Sequence, residues 1–165
     1  SNYPTDRAIE AKNLLKEFGV DLLIHQPSFS MFNRWIQKDK LDVTLKEAGV
    51  GIIPFSILAQ GLLTAKYLKE IPKDSRIGNA DVPFLTENNL SADVLDKVRA
   101  LNEIALKRGQ TLAEMAVSWT CVQTGISTVL LGVSKLSQLE SNLNSLDYLS
   151  FTTEELAEID KITVG

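Results

Sequence analysis

Few residues in this chain can do chemistry unaided. His25 is the sole histidine and Cys121 the sole cysteine. A metal centre needs several N, S or O ligands at suitable spacing. Nothing near His25 supplies them, so His25 is expected to be a hydrogen-bonded strand residue. Cys121 lies mid-helix beside Val122 and is expected in the core. Standing alone it permits no internal disulfide, which fits a reducing, cytoplasmic setting. The pair Glu154-Glu155 falls in the first turn of an expected helix, where the dipole favours carboxylates, and suits that role better than acid–base catalysis. Gly49-Val50-Gly51 starts like a dinucleotide fingerprint, but Pro54 occupies the third glycine's place and the glycines precede a strand instead of following it. Walker A, HExxH, CxxC and GxSxG patterns are absent from the sequence. The informative residues stand after three apolar runs: His25-Gln26-Pro27-Ser28, then Pro54-Phe55-Ser56-Ile57-Leu58-Ala59-Gln60-Gly61, then Gly132-Val133-Ser134.

The elements that must position those residues carry an internal repeat. Leu15-Lys16-Glu17-Phe18-Gly19-Val20 recurs thirty residues on as Leu45-Lys46-Glu47-Ala48-Gly49-Val50. Each copy ends an amphipathic run with Gly, the residue that tolerates positive φ just past a helix. Each then enters a short apolar run, Val20–Ile24 or Val50–Ile53, expected as a buried strand. Helix, glycine and buried parallel strand at this period is the cadence of βα units, about 31 residues each in a (β/α)₈ barrel. A third strand is expected at Ser127–Leu131.

Helices are expected from Pro4-Thr5 to about Phe18, over Leu41–Ala48, and through Leu95, Val98, Leu101 and Ala105 up to Gly109. Thr111 and Glu114 form a capping box ahead of Leu112, Met115, Ala116 and Trp119. Leu136, Leu139, Leu143 and Leu146 line the helix after the third strand, and Thr152 with Glu155 caps a last one. Residues 56–89, with Pro72, Gly78 and Pro83, show no sustained periodicity, and a loop of that length usually serves a function.

The 165 residues suit one domain, with 44% hydrophobic and 23% charged residues. A formal charge of −4 leaves no basic footprint for nucleic acid and no cluster for an anionic membrane. Apolar runs are too short to span a bilayer, and no signal-peptide pattern is visible. The expected class is α/β. Three parallel strands would leave two unpaired edges, so either something is missing or something else, such as another chain, is expected to cover them.

The ordered series of strand-end residues resembles the aldo-keto reductases, in particular the branch with bacterial glyceraldehyde 3-phosphate reductases and potassium-channel beta subunits. The resemblance begins at Ser1-Asn2-Tyr3 and continues through Gln26-Pro27, Asn33-Arg34-Trp35 and Gly61-Leu62-Leu63-Thr64-Ala65-Lys66-Tyr67. It resumes at Ile71-Pro72, Ser75-Arg76, Gln138-Leu139-Glu140 and Asn142. It implies the C-terminal part of a (β/α)₈ TIM barrel, strands six to eight with their helices. The implied cofactor is NADP(H) and the implied substrate a small carbonyl compound. By the same resemblance Ser1, Asn2 and Gln26 hold the nicotinamide carboxamide, which suits amides that both donate and accept. Phe55 stacks on the nicotinamide ring, and Ser56, Leu58 and Gly61 wrap the pyrophosphate. Lys66 and Arg76 meet the phosphates, while Gly132, Ser134, Gln138 and Asn142 meet the adenosine end. Lys135 beside Ser134 favours a 2′-phosphate. Ser141 stands where this branch often has an acidic residue contacting adenosine. Rival structural roles are core packing for Phe55, helix capping for Ser134, strand-end polarity for Gln26 and plain surface charge for Lys66 and Arg76. A structural role is also preferred for Asn33, Arg34 and Trp35 over the border of a substrate mouth. No residue of this sequence matches the family's Asp, Tyr, Lys and His tetrad, so no catalytic residue and no metal ligand is assigned. The function implied is an NADPH-dependent reductase of aldehydes or ketones. Its rivals are a non-catalytic nucleotide-sensing module like a channel beta subunit and a phosphosugar-binding barrel. The cofactor assignment expects Gln26, Phe55 and Ser134 to line one common cleft.

Overall fold

Both copies of the repeat fold into the same junction. The structure, a computed structural model, describes residues 1–67 and 91–164. Helix α1 (Thr5–Glu17) ends at Gly19, whose φ is +72°, with Gly19 N–H donating to Lys16 O at 3.0 Å and Val20 N–H to Leu15 O at 3.0 Å. A short helix α2 (Trp35–Lys38) precedes α3 (Leu41–Glu47), which ends identically at Gly49, also at φ +72°. There Gly49 N–H reaches Lys46 O at 3.1 Å and Val50 N–H reaches Leu45 O at 2.8 Å. These paired bonds satisfy the carbonyls that a helix end leaves orphaned.

Each junction then feeds a strand. Strand β1 (Ile24–His25) pairs in parallel with β2 (Gly51–Ile52), in the register Ile24↔Gly51 and His25↔Ile52. Both are shorter than the apolar runs suggested. The expected burial holds for Val50 and Ile52 but not for Val20, Leu23 and Ile24, which are 50%, 71% and 50% exposed. The cause is neighbourhood: among the described residues, β1 has a partner on one side only.

The third expected strand, Ser127–Leu131, is not a strand. Its backbone nevertheless runs parallel to β2, through the bridge Ile52↔Ile126 and the bonds from Ser127 N–H to Ile52 O (2.9 Å) and Leu130 N–H to Pro54 O (2.9 Å). Bonded along one edge only among the described residues, it carries too few ladder contacts to hold regular strand geometry.

The remaining helices match the periodic stretches: α4 (Ala92–Lys107), α5 (Leu112–Cys121), α6 (Leu136–Asn144) and α7 (Thr153–Val164). Thr111 and Glu114 make the capping box at α5, and Thr152 and Glu155 exchange the same two bonds at α7. The core lies between these helices and the strands. Phe29 stacks on Trp119 at 5.4 Å between centroids, surrounded by Met31, Ile36, Leu45, Ile52 and Leu101. Burying each such side chain contributes about 1.5–3 kcal/mol. Arg34, its side chain almost wholly covered, lies 4.6 Å over Trp119 and bonds Asp160 and Thr163 of α7. No helix among the described residues is long and apolar enough to cross a membrane.

Candidate functional site

Two groups of residues stand beyond the C-terminal ends of the parallel segments. The first is registered by backbone. Phe55 N–H donates to Pro27 O at 3.0 Å and Phe55 O accepts from Phe29 N–H at 3.1 Å, which brings Ser28 and Phe55 abreast in parallel. The Ser1 hydroxyl donates to Gln26 O at 2.7 Å, and Asn2 N–H reaches the same oxygen at 3.2 Å. Asn2 Oδ1 accepts from Ser28 N–H at 2.7 Å. Ser1, Asn2, Gln26 and Phe55 therefore gather at the ends of two paired segments. Trp35 Nε1–H donates to Ser28 O at 2.7 Å, a structural contact that holds this end from behind.

His25 lies beneath this group, 6% exposed, with Nε2 unpartnered among the described residues. The expected hydrogen bonding is thus incomplete. Strand pairing fixes the backbone, while the ring is packed away from polar neighbours on its Nε2 side. Burial pushes its pKa down and a bond to the Tyr3 backbone pushes it up, for a net fall. Cys121 is half-buried instead of fully in the core, because it sits in the last turn of α5, and burial raises its thiol pKa.

The second group surrounds a cavity of about 680 Å³. Ser56, Leu58, Gly61 and Lys66 line one wall, and Gly132, Ser134, Gln138 and Asn142 the other. A turn with four positive φ values builds the first wall: Ser56 at +58°, Ala59 at +46°, Gln60 at +57° and Gly61 at +102°. For the three non-glycine residues this conformation costs about 1–3 kcal/mol each, and such strain concentrates at ligand clamps. The second wall is the entry to α6. Gln138 Oε1 accepts from Ser134 N–H at 2.9 Å and Lys135 N–H at 3.3 Å, so Gln138, not Ser134, caps the helix.

Gln26 and Phe55 do not line this cavity, so the common cleft expected for Gln26, Phe55 and Ser134 is not closed by the described residues. Phe55 adjoins the cavity through Ser56, and Gln26 stands one strand farther on. Arg76 lies outside the described residues. The structure adds Thr64, Ser137 and Ser141 to the lining, and behind Ser141 the buried Glu114. Helical spacing from Ser134 marks Ser137 and Ser141 as neighbours on one face, but no sequence signal marks Glu114 beyond its cap.

Helices feeding parallel segments, with polar residues collected on the loops that follow them, define an α/β protein with a cavity beyond the ends of those segments. Comparison with known proteins makes this specific. The model of the aldo/keto reductase family matches residues 1–164, and the chain belongs to that family. It is 47% identical to the L-glyceraldehyde 3-phosphate reductase of Escherichia coli (strain K12) over 98% of this chain and 47% of that protein. It is 33% identical to a probable voltage-gated potassium channel subunit beta of Oryza sativa subsp. japonica, over 85% of this chain and 42% of that protein. An Arabidopsis thaliana protein of the same description is 34% identical over the same shares. The chain spans about half the length of the curated relatives it matches.

Proposed function

We propose that this chain is the nucleotide-binding part of an NADPH-dependent reductase of aldehydes and ketones, forming strands six to eight of a (β/α)₈ barrel with their helices. The supporting observation is the gathering of eight of the expected nucleotide contacts around one cavity. Its size falls within the roughly 300–1,000 Å³ usual for small-molecule sites. Positive φ at Ser56, Ala59, Gln60 and Gly61 folds this wall into a tight turn whose Ala59 and Gly61 N–H groups bond the Ser56 and Leu58 carbonyls, with the backbone strain that concentrates at ligand clamps. The opposite wall is the N-terminus of α6, where the helix dipole favours a phosphate and Lys135 adds charge. Kinship with an aldehyde-phosphate reductase favours carbonyl chemistry over the phosphosugar-binding alternative.

NADPH held here would supply hydride for a carbonyl carbon. Within this chain, Ser1, Asn2 and Gln26 would orient the carboxamide, and Phe55 would pack against the ring. Lys66, Ser134 and the Ser56–Gly61 turn would hold the phosphates. The proton for the carbonyl oxygen comes from a general acid that this sequence does not contain. The 165 residues alone therefore turn nothing over. The exposed edge of β1 and the leucine face of α6 are covered by the rest of the barrel or by another chain, and the whole is cytoplasmic.

Fluorescence titration of the protein as expressed, with NADPH, NADH and sugar phosphates, tests this assignment. Micromolar binding of NADPH in preference to the others is expected, with carbonyl-dependent oxidation wherever the tetrad is present. Failure to bind NADPH overturns it. Binding without carbonyl-dependent oxidation by a tetrad-containing protein would instead favour the nucleotide-sensing module.

A further inference from the structure

Ser141 faces the cavity with its one hydroxyl proton already committed. The Ser141 hydroxyl donates to Glu114 Oε1 at 2.8 Å, across the gap between α5 and α6. Glu114 Oε2 accepts from Thr111 N–H at 2.7 Å, which pins the carboxylate in the α5 capping box. Glu114 is 9% exposed and does not itself line the cavity. Burial pushes its carboxyl pKa up, but bonds from Thr111, Ser141 and Asn144 outweigh that and the net direction is down. At neutral pH Glu114 is therefore a carboxylate, an acceptor with no proton to give. A hydroxyl whose hydrogen points at a fixed carboxylate offers its other side lone pairs only.

We propose that Glu114 is a positioning and specificity residue: by holding the Ser141 hydroxyl proton, it makes this part of the cavity wall accept from a ligand N–H, selecting a 6-amino purine over a 6-oxo purine. This rests on the assignment of the cavity to a nicotinamide nucleotide whose adenine lies against α6. A carboxylate in direct contact would attract any cation or donor strongly, whereas a polarised serine oxygen makes one short-range hydrogen bond. Charge-assisted polarisation through the pair strengthens that bond.

The experiment compares the affinities of the expressed protein for NADPH and for its 6-oxo analogue, reduced nicotinamide hypoxanthine dinucleotide phosphate. The natural sequence should prefer the amino form by about fivefold or more, the worth of one hydrogen bond. Glu114→Gln keeps an acceptor for Thr111 N–H but can donate to Ser141, which frees the serine proton, so the preference should fall toward unity. Ser141→Ala should do the same by removing the oxygen, and it reports even if the Glu114 variant folds poorly. Thr111→Ala is the structural control: it weakens the α5 cap but leaves the Glu114–Ser141 pair, so thermal stability should drop while the preference stays. Equal affinity of the natural protein for the two dinucleotides overturns the proposal, as does a preference that survives both Glu114→Gln and Ser141→Ala. Absence of NADPH binding by the natural protein would instead remove the nucleotide assignment, and this proposal with it.

Discussion

The two copies of the helix–glycine–strand junction share a local code and have opposite fates. Val50 and Ile52 are almost fully buried, while their counterparts Val20 and Leu22–Ile24 lie at an edge where Val20, Leu23 and Ile24 are half or more exposed. The turn bonds agree to within about 0.2 Å, at 3.0 and 3.0 Å in one copy and 3.1 and 2.8 Å in the other. The difference is lateral. Strand β2 has β1 on one side and the 126–130 segment on the other, whereas β1 has β2 alone among the described residues. Local sequence thus sets how a helix hands over to a strand, and neighbours set what the strand buries.

The largest expected effect separates the strands themselves. Ile52→Ala should cost about 2–5 kcal/mol, the range for emptying a packed site, and Ile24→Ala in this chain under about 1 kcal/mol. Denaturant unfolding of the two variants would measure this, and equal losses would break the contrast. Ile24→Ala should become costlier in any longer polypeptide or assembly that covers this edge, which would sharpen it.

A smaller effect should be the same in both copies. Gly19→Ala and Gly49→Ala each place a Cβ at φ +72° in open space, so strain alone is added. About 1–2 kcal/mol is expected from each. Gly125→Ala should exceed both, because its Cβ would meet the Asp42 carbonyl oxygen at 2.6 Å in addition to adopting positive φ. Melting temperatures of the three variants order these costs, and a Gly125 variant no worse than the others would contradict the close approach.

The smallest effect concerns pH at β1. His25 has its pKa lowered on folding, so the unfolded chain binds the proton more readily. Stability should therefore fall as pH drops through the unfolded value, about 6.5, and level off below the folded one. His25→Gln should flatten that limb of the stability curve. A limb of unchanged slope would place the titration elsewhere.

Helix starts and stops were legible because their signals are local. Thr111 with Glu114, Thr152 with Glu155, and Gly19, Gly49 and Gly109 each act within about one turn. Strand extent was not legible to the same degree. An apolar run such as Val20–Ile24 reads as buried whether or not anything lies over it, and the stretch 127–131 has strand composition without a second partner among the described residues. The cavity lining was legible where it comes from two continuous segments, 56–66 and 132–142. The separation of Gln26 and Phe55 from that cavity was not, since it depends on which wall completes the cleft. The Glu114–Ser141 pair joins two helices across twenty-seven positions. No periodicity encodes such a meeting, because it depends on how α5 packs on α6.

The guanidinium of Arg34 has a consequence beyond packing. It lies over the Trp119 ring while bonding two residues of α7, so one side chain couples the final helix to an aromatic ring in the core. Undocking of α7 would strip the indole of its cation and admit water beside it. The emission of Trp119 would then shift to longer wavelength, giving the molecule a built-in optical gauge of whether its tail is clasped.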